Sequence, residues 1–120
     1  QAEGMEEAIV LSDYHADRGN YDQVCQQDGR FHQLLYEASG SRILAHTLTD
    51  FHEYLQRVRM ASVKYRMRVR PSNSEHRQIL DAIKNHEAQQ AEQAAYQHIF
   101  NTIENLKNCD LETVLKEEMK

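Results

Sequence analysis

Residues 21–39 read YDQVCQQDGRFHQLLYEAS, and the way this run folds decides the architecture. It holds no proline and no sustained alternation of apolar and polar residues, so a strand is disfavoured. Val24, Phe31 and Leu35 recur at helical spacing instead. Asp28 and His32, four residues apart, fall on that same helical face. A carboxylate and an imidazole therefore stand among residues that an amphipathic helix buries. Left unpaired in a core, such groups cost on the order of 1–3 kcal/mol each, so the face needs a partner for them.

Working outward, the same periodicity gives further helices and no strand. A first helix runs from the start of the chain to about His15, with Met5, Ala8, Ile9 and Tyr14 inward, and Gly19 and Asn20 form the turn after it. A long third helix follows Ser41, marked by Leu44, Leu48, Phe51, Leu55, Val58 and Ser62, and ends before Pro71. Ser72 with Glu75 three residues on reads as a capping box that opens a fourth helix, whose inner face is His76, Ile79, Leu80 and Ile83. Residues 85–87 interrupt it. A fifth helix spans about residues 88–106, with Ala91, Ala94, Ala95, His98, Ile99, Thr102, Ile103 and Leu106 inward, and a short helix over about 111–118 closes the chain. The expectation is an all-α antiparallel bundle of five to six helices, one domain over residues 1–120.

Composition narrows the function classes. Net charge is −5, yet residues 57–70 carry Arg57, Arg59, Lys64, Arg66, Arg68 and Arg70 without an acid. The remainder is strongly acidic, which argues against a broad nucleic-acid surface. Cys25 and Cys109 form no CxxC pair, which suits free thiols in a reducing compartment. No apolar run approaches the ~20 residues of a membrane span, and no signal pattern opens the chain, so a cytoplasmic location is expected. QAEGMEEAI, residues 1–9, reads as the middle of a helix with no cap before it, which predicts a piece of a longer protein.

Seven histidines are present. His15, His46 and His86 read as exposed or marginal, and His52 lies beside the apolar stripe of the third helix. His32, His76 and His98 fall on the inner faces of three different helices. A lone inward histidine is most often a satisfied core residue. Three of them, with Asp28 one turn from His32, also form a donor set for a divalent ion such as Zn, Ni, Mn or Fe. HEYLQ and HEAQQ, residues 52–56 and 86–90, begin like a zinc-protease helix but end in Gln where the second His is required. No Glu-x-x-His pair, phosphate loop or paired nucleophile is present. The inner faces offer no acid beyond Asp28 as a general base, which favours sensing over catalysis. The basic stretch reads either as a solvated helix end or as an anion-binding element. In the second case Arg59, on one face with Leu48, His52, Leu55 and Ser62, is the candidate to hold a carboxylate.

DGRFHQLLYEASGS at residues 28–41, EHRQILDAI at 75–83 and AAYQHI at 94–99 occur in an order that resembles the C-terminal effector-binding domain of FadR-type regulators in the GntR superfamily, the FCD domain. The resemblance covers about residues 20–106. It implies a helical bundle that senses a small molecule, with Asp28, His32, His76 and His98 as metal ligands and a small carboxylic acid completing the metal shell. It also implies a homodimer that contacts operator DNA through an N-terminal winged-helix domain. That domain, and a first effector-domain helix carrying an arginine for the ligand, would lie outside this chain. The family's Gly-Asp before the last helix is His86-Glu87 here, and Gly29 costs roughly 1 kcal/mol against alanine inside its helix. Two other readings stand beside this one: a free-standing bundle metalloenzyme whose metal is held by three histidines and one aspartate, and a structural bundle with buried histidines.

Overall fold

Helix α1 (Ala2–Asp17) buries Met5, Ala8, Ile9 and Ser12, a spacing of three, four and seven that places them on one stripe. The structure is a computed structural model and describes residues 1–38, 46–50, 52 and 67–107. Helix α2 (Tyr21–Glu37) buries Val24, Phe31 and His32. Residues 46–50 are helical, as is His52. Helix α3 (Val69–Lys84) and helix α4 (Ala88–Lys107) complete the described elements, among which there is no strand. The expected stripe of Leu44, Phe51, Leu55, Val58 and Ser62, the expected helix over 111–118, Cys109, Arg59 and the side chain of Leu106 lie outside the described residues.

Three-residue connections join α1 to α2 and α3 to α4, which forces each pair to run antiparallel. Arg30 of α2 reaches Glu7 of α1 at 2.8 Å, and Asn73 of α3 donates to Ser12 of α1 at 2.9 Å and to Asp13 at 2.8 Å. Helix α1 packs on α2 and on α3, and α3 packs on α4. The apolar core joins Met5, Ala8 and Ile9 of α1 to Phe31 of α2 and Leu80 of α3, with Ala2, Leu34 and Leu35 against it. Glu6 of α1 takes Arg77 and Lys84 of α3 at its surface edge, contacts that add little by themselves.

Both connections are closed by the same device. After α1, Asn20 N–H bonds to the His15 carbonyl at 2.9 Å and Gly19 N–H to that of Ala16 at 3.1 Å, with Gly19 at φ +69°. After α3, Glu87 N–H bonds to Ala82 at 2.9 Å and His86 N–H to Ile83 at 3.1 Å, with His86 at φ +57°. Each is a Schellman stop with a left-handed residue just past the helix.

Three sequence expectations need correction. Helix α3 starts at Val69, so Ser72 is not its N-cap: Ser72 is buried in the helix, and its N–H bonds to the Arg68 carbonyl at 2.8 Å. Pro71 sits in the first turn, where its missing N–H has no intrahelical partner to lose. Tyr14 is not inward; it is 48% exposed, with the Arg18 guanidinium 3.7 Å over its ring. Ile99 and Ile103 are not inward either: with Tyr96 and Phe100 they form the exposed face of α4, while its buried residues among those described are His98 and Thr102.

Candidate metal centre

Helix α2 contributes Asp28 and His32, residue 52 contributes a second imidazole, α3 contributes His76 and α4 contributes His98. The i,i+4 spacing on α2 places Asp28 and His32 on the face that meets α3, beside Phe31, whose ring stacks on that of His76 at 4.4 Å. All four imidazoles are less than a tenth exposed. Their rings are crowded: His32 lies 4.0 Å from His52, 4.7 Å from His76 and 5.7 Å from His98 between centroids, and His76 lies 4.5 Å from His98. The structure thus brings together Asp28, His32, His76 and His98, the four residues selected from helical periodicity.

Hydrogen-bond partners fix where the protons sit. His32 Nδ1 is 2.9 Å from the Asp28 carbonyl, which can only accept, so Nδ1 carries the proton. Burial, opposed by the Asp28 charge, pushes His32 down to about 3, so its ring is neutral near pH 7 and Nε2 is bare. His98 Nδ1 is 2.7 Å from Glu75 Oε1. Burial raises the Glu75 carboxyl, but bonds from Arg68, His98 and Asn101 outweigh it and hold the group below its ordinary value. Glu75 is therefore the acceptor and His98 Nδ1 the donor. Burial also lowers His98 against the pull of Glu75, leaving a neutral ring with a bare Nε2. His76 is pushed well down, by burial first and then by the neighbouring imidazole His32. Burial acts to raise Asp28, yet the neighbouring imidazole of His32 and the bond from His52, with His76 beside them, keep it well below the usual carboxylate range.

The donor set fits a divalent cation. His76 Nε2 and His98 Nε2 are 3.1 Å apart, and Asp28 Oδ1 is 3.7 Å from His76 Nε2. Neighbouring ligand atoms on one ion, bound at about 2.0–2.1 Å, lie roughly 3 to 3.5 Å from each other, so these two separations are close to ligand spacing. His32, His76 and His98 each offer a nitrogen, and these three atoms lie within 4.8 Å of one another; Asp28, His32 and His52 form a second such trio. Three imidazoles and a carboxylate suit Zn, Ni, Mn or Fe.

Periodicity misses three participants. His52 is buried, and its Nε2 donates to Asp28 Oδ2 at 2.8 Å. Glu75 does not cap α3. It faces the centre, accepting from His98 and Arg68 through Oε1 and from Asn101 at 2.7 Å through Oε2. The expectation that no acid beyond Asp28 points inward is therefore overturned. Arg68, a member of the basic stretch, is 9% exposed and paired with Glu75. A signal exists for Glu75, since Glu-His at the head of α3 puts a carboxylate next to a candidate ligand.

A family model described as the FCD domain matches residues 1–101. No curated protein and no solved structure gives a significant match to the chain.

Proposed function

Because this chain belongs to the FCD domain family, the C-terminal effector-binding domains of GntR-type transcription regulators, we propose that its histidine centre holds a divalent metal ion and that the ion receives a small carboxylate effector. Asp28, His32, His76 and His98 would be the ligands. The observation that carries this reading is the 3.1 Å separation of His76 Nε2 and His98 Nε2 on two helices, with Asp28 Oδ1 beside them. Without metal, His76 Nε2–H can donate to the bare Nε2 of His98, and one cation would take the place of that proton and bind both nitrogens. When bound, the ion supplies positive charge and open coordination positions for an anionic ligand. The chain's own residues fix the imidazole tautomers and keep the site dry. Arg59 is the arginine we assign to the effector's carboxylate, where a charge-assisted bond would add selectivity.

The catalytic alternative is disfavoured by the state of Glu75. Among the described residues it is, besides Asp28, an acid bonded to a histidine of the centre, but its oxygens are taken by Arg68, His98 and Asn101, which leaves it a weak base. In the intact FadR-type regulator this domain would act within a cytoplasmic homodimer. Operator DNA would be contacted by the winged-helix domain and not by this chain. Among the described residues no helix is long and apolar enough to cross a membrane.

Metal analysis of purified protein, followed by calorimetry with a panel of small hydroxy- and dicarboxylic acids, tests the reading. The expected result is one ion per chain, with acid binding that chelation abolishes and Arg59→Ala weakens. Acid binding that is equal with and without the ion would overturn the metal's role. An unaffected Arg59→Ala would overturn only the choice of arginine.

A further inference from the structure

The geometry points to His52 as a positioning residue for the metal centre, acting through Asp28 rather than on the ion; this rests on the metal reading above. His52 comes from a different element than any of the four assigned ligands, and it is 8% exposed. Its Nε2 lies 2.8 Å from Asp28 Oδ2. The other carboxylate oxygen, Oδ1, is 3.7 Å from His32 Nδ1 and 3.7 Å from His76 Nε2. One oxygen of Asp28 is thus held by His52 and the other is turned toward the histidine cluster.

A carboxylate on a short side chain can rotate about its last torsion and present either oxygen, or neither, to an ion. A donor on one oxygen removes that freedom before the ion arrives. It also compensates the carboxylate for lost water, since an ionised acceptor binds an N–H donor about twice as strongly as a neutral one. The His52 ring is itself constrained, stacked on His32 at 4.0 Å with 25° between planes. The same ligand-bearing face of α2 therefore carries both the group being held and the surface that orients its holder. Ligand-orienting partners of this kind typically change metal affinity by about 10–100-fold when removed.

The test compares wild type, His52→Ala and His52→Gln by competition of Zn²⁺ and of Ni²⁺ against a chromophoric chelator. X-ray absorption on the loaded proteins counts imidazole ligands. His52→Ala should bind both ions about 10–100-fold more weakly. His52→Gln keeps an N–H donor but is a poor metal ligand, so it should bind close to wild type, and its absorption spectrum should show the same three imidazoles as wild type. If His52→Ala unfolds, the glutamine variant and the ligand count still decide. Unchanged affinity in His52→Ala, or a glutamine variant as weak as alanine, overturns the assignment. A fourth imidazole in wild type does so too, by making His52 a ligand. A wild-type chain that binds neither ion overturns the metal reading itself, and the role of His52 with it.

Discussion

Glu75 gathers most of the hydrogen bonds around the outside of the centre, and its substitution separates two effects. It accepts from His98 Nδ1, from Arg68 and from Asn101. Glu75→Gln keeps the shape but removes the charge opposite Arg68, whose side chain is 9% exposed. Breaking a buried pair from one side costs about 3 kcal/mol at the lower end of the usual range, and urea titration should read that loss in metal-free protein. The same change frees His98 to adopt the other tautomer, so metal affinity should fall about 10–100-fold. Wild-type stability and affinity together in this variant would show that the network is ornamental. His76→Ala and His98→Ala act directly: each should lose the bound ion, and with it the rise in melting temperature that metal gives wild type. At free metal 100-fold above Kd that rise corresponds to about 2.7 kcal/mol. Equal metal content in wild type and both variants would remove the centre. At this scale the sequence is legible where helical periodicity alone selects a residue, as for Asp28, His32, His76 and His98. It is not legible where tertiary contact decides. His52 flanks an apolar stripe, and only the position of α2 shows that it meets Asp28. Glu75 satisfies the spacing of a capping box, which hides its true partners on α4.

The two helix stops offer a matched pair of substitutions. Gly19 and His86 hold the same left-handed position after α1 and α3, at φ +69° and +57°. An L side chain in that region costs roughly 1–2 kcal/mol, a cost glycine avoids. Set against it, a glycine adds freedom to the unfolded chain worth about 0.4–1 kcal/mol. His86→Gly should therefore stabilise the protein by about 0.5–1 kcal/mol, and Gly19→Ala should destabilise it by a similar amount. Thermal melts of the two variants check both signs, and a destabilised His86→Gly would mean that the imidazole makes a contact worth more than the strain. The resemblance puts glycine where His86 stands, so this departure is visible in the sequence, and its backbone consequence is not. The ends of α3 show the same division. Its C-terminal stop at residues 85–87 is legible, but its start is misplaced when Pro71 is read as preceding the helix instead of occupying its first turn. On α4, periodicity puts Ile99 and Ile103 inside together with Ala91, Ala95, His98 and Thr102. The two isoleucines face outward, while the stripe of Ala91, Ala95, His98 and Thr102 does turn inward, from half-buried alanines to buried histidine and threonine.

The core of the molecule and its polar centre hold different parts together. Met5, Ala8, Ile9, Phe31 and Leu80 bind α1, α2 and α3. Among the described residues, α4 contributes no fully buried apolar side chain, and its polar links to α3 include His98 to His76 and the bonds of His98 and Asn101 to Glu75. Its attachment should therefore follow the state of the centre. In metal-free protein, acidification has a definite sign. The ordinary histidine value is 6.5, while burial holds His32 at about 3 and lowers His76 and His98 in the same direction. Below pH 6.5 the unfolded chain takes up protons that the folded chain refuses, so stability falls as pH falls, and for His32 the fall continues to about pH 3. Each such group contributes a slope of up to about 1.4 kcal/mol per pH unit. Asp28 is lowered by its imidazole neighbours and Glu75 by Arg68 and the bonds around it, both against burial, and they add a loss of the same sign once pH enters the carboxylate range. Urea midpoints of the metal-free chain should thus drop steadily from pH 7 to pH 5. Bound metal should hold the midpoint up at pH 7 and lose its effect toward pH 5, because protons compete for its ligands. Hydrogen exchange gives the regional reading: without metal at pH 7, α4 amides should exchange faster than those of α1, and metal should slow α4 most. A pH-independent midpoint would show that the imidazoles are not buried in neutral form. Equal protection of α1 and α4 without metal would show that apolar packing, and not the centre, fastens the last helix.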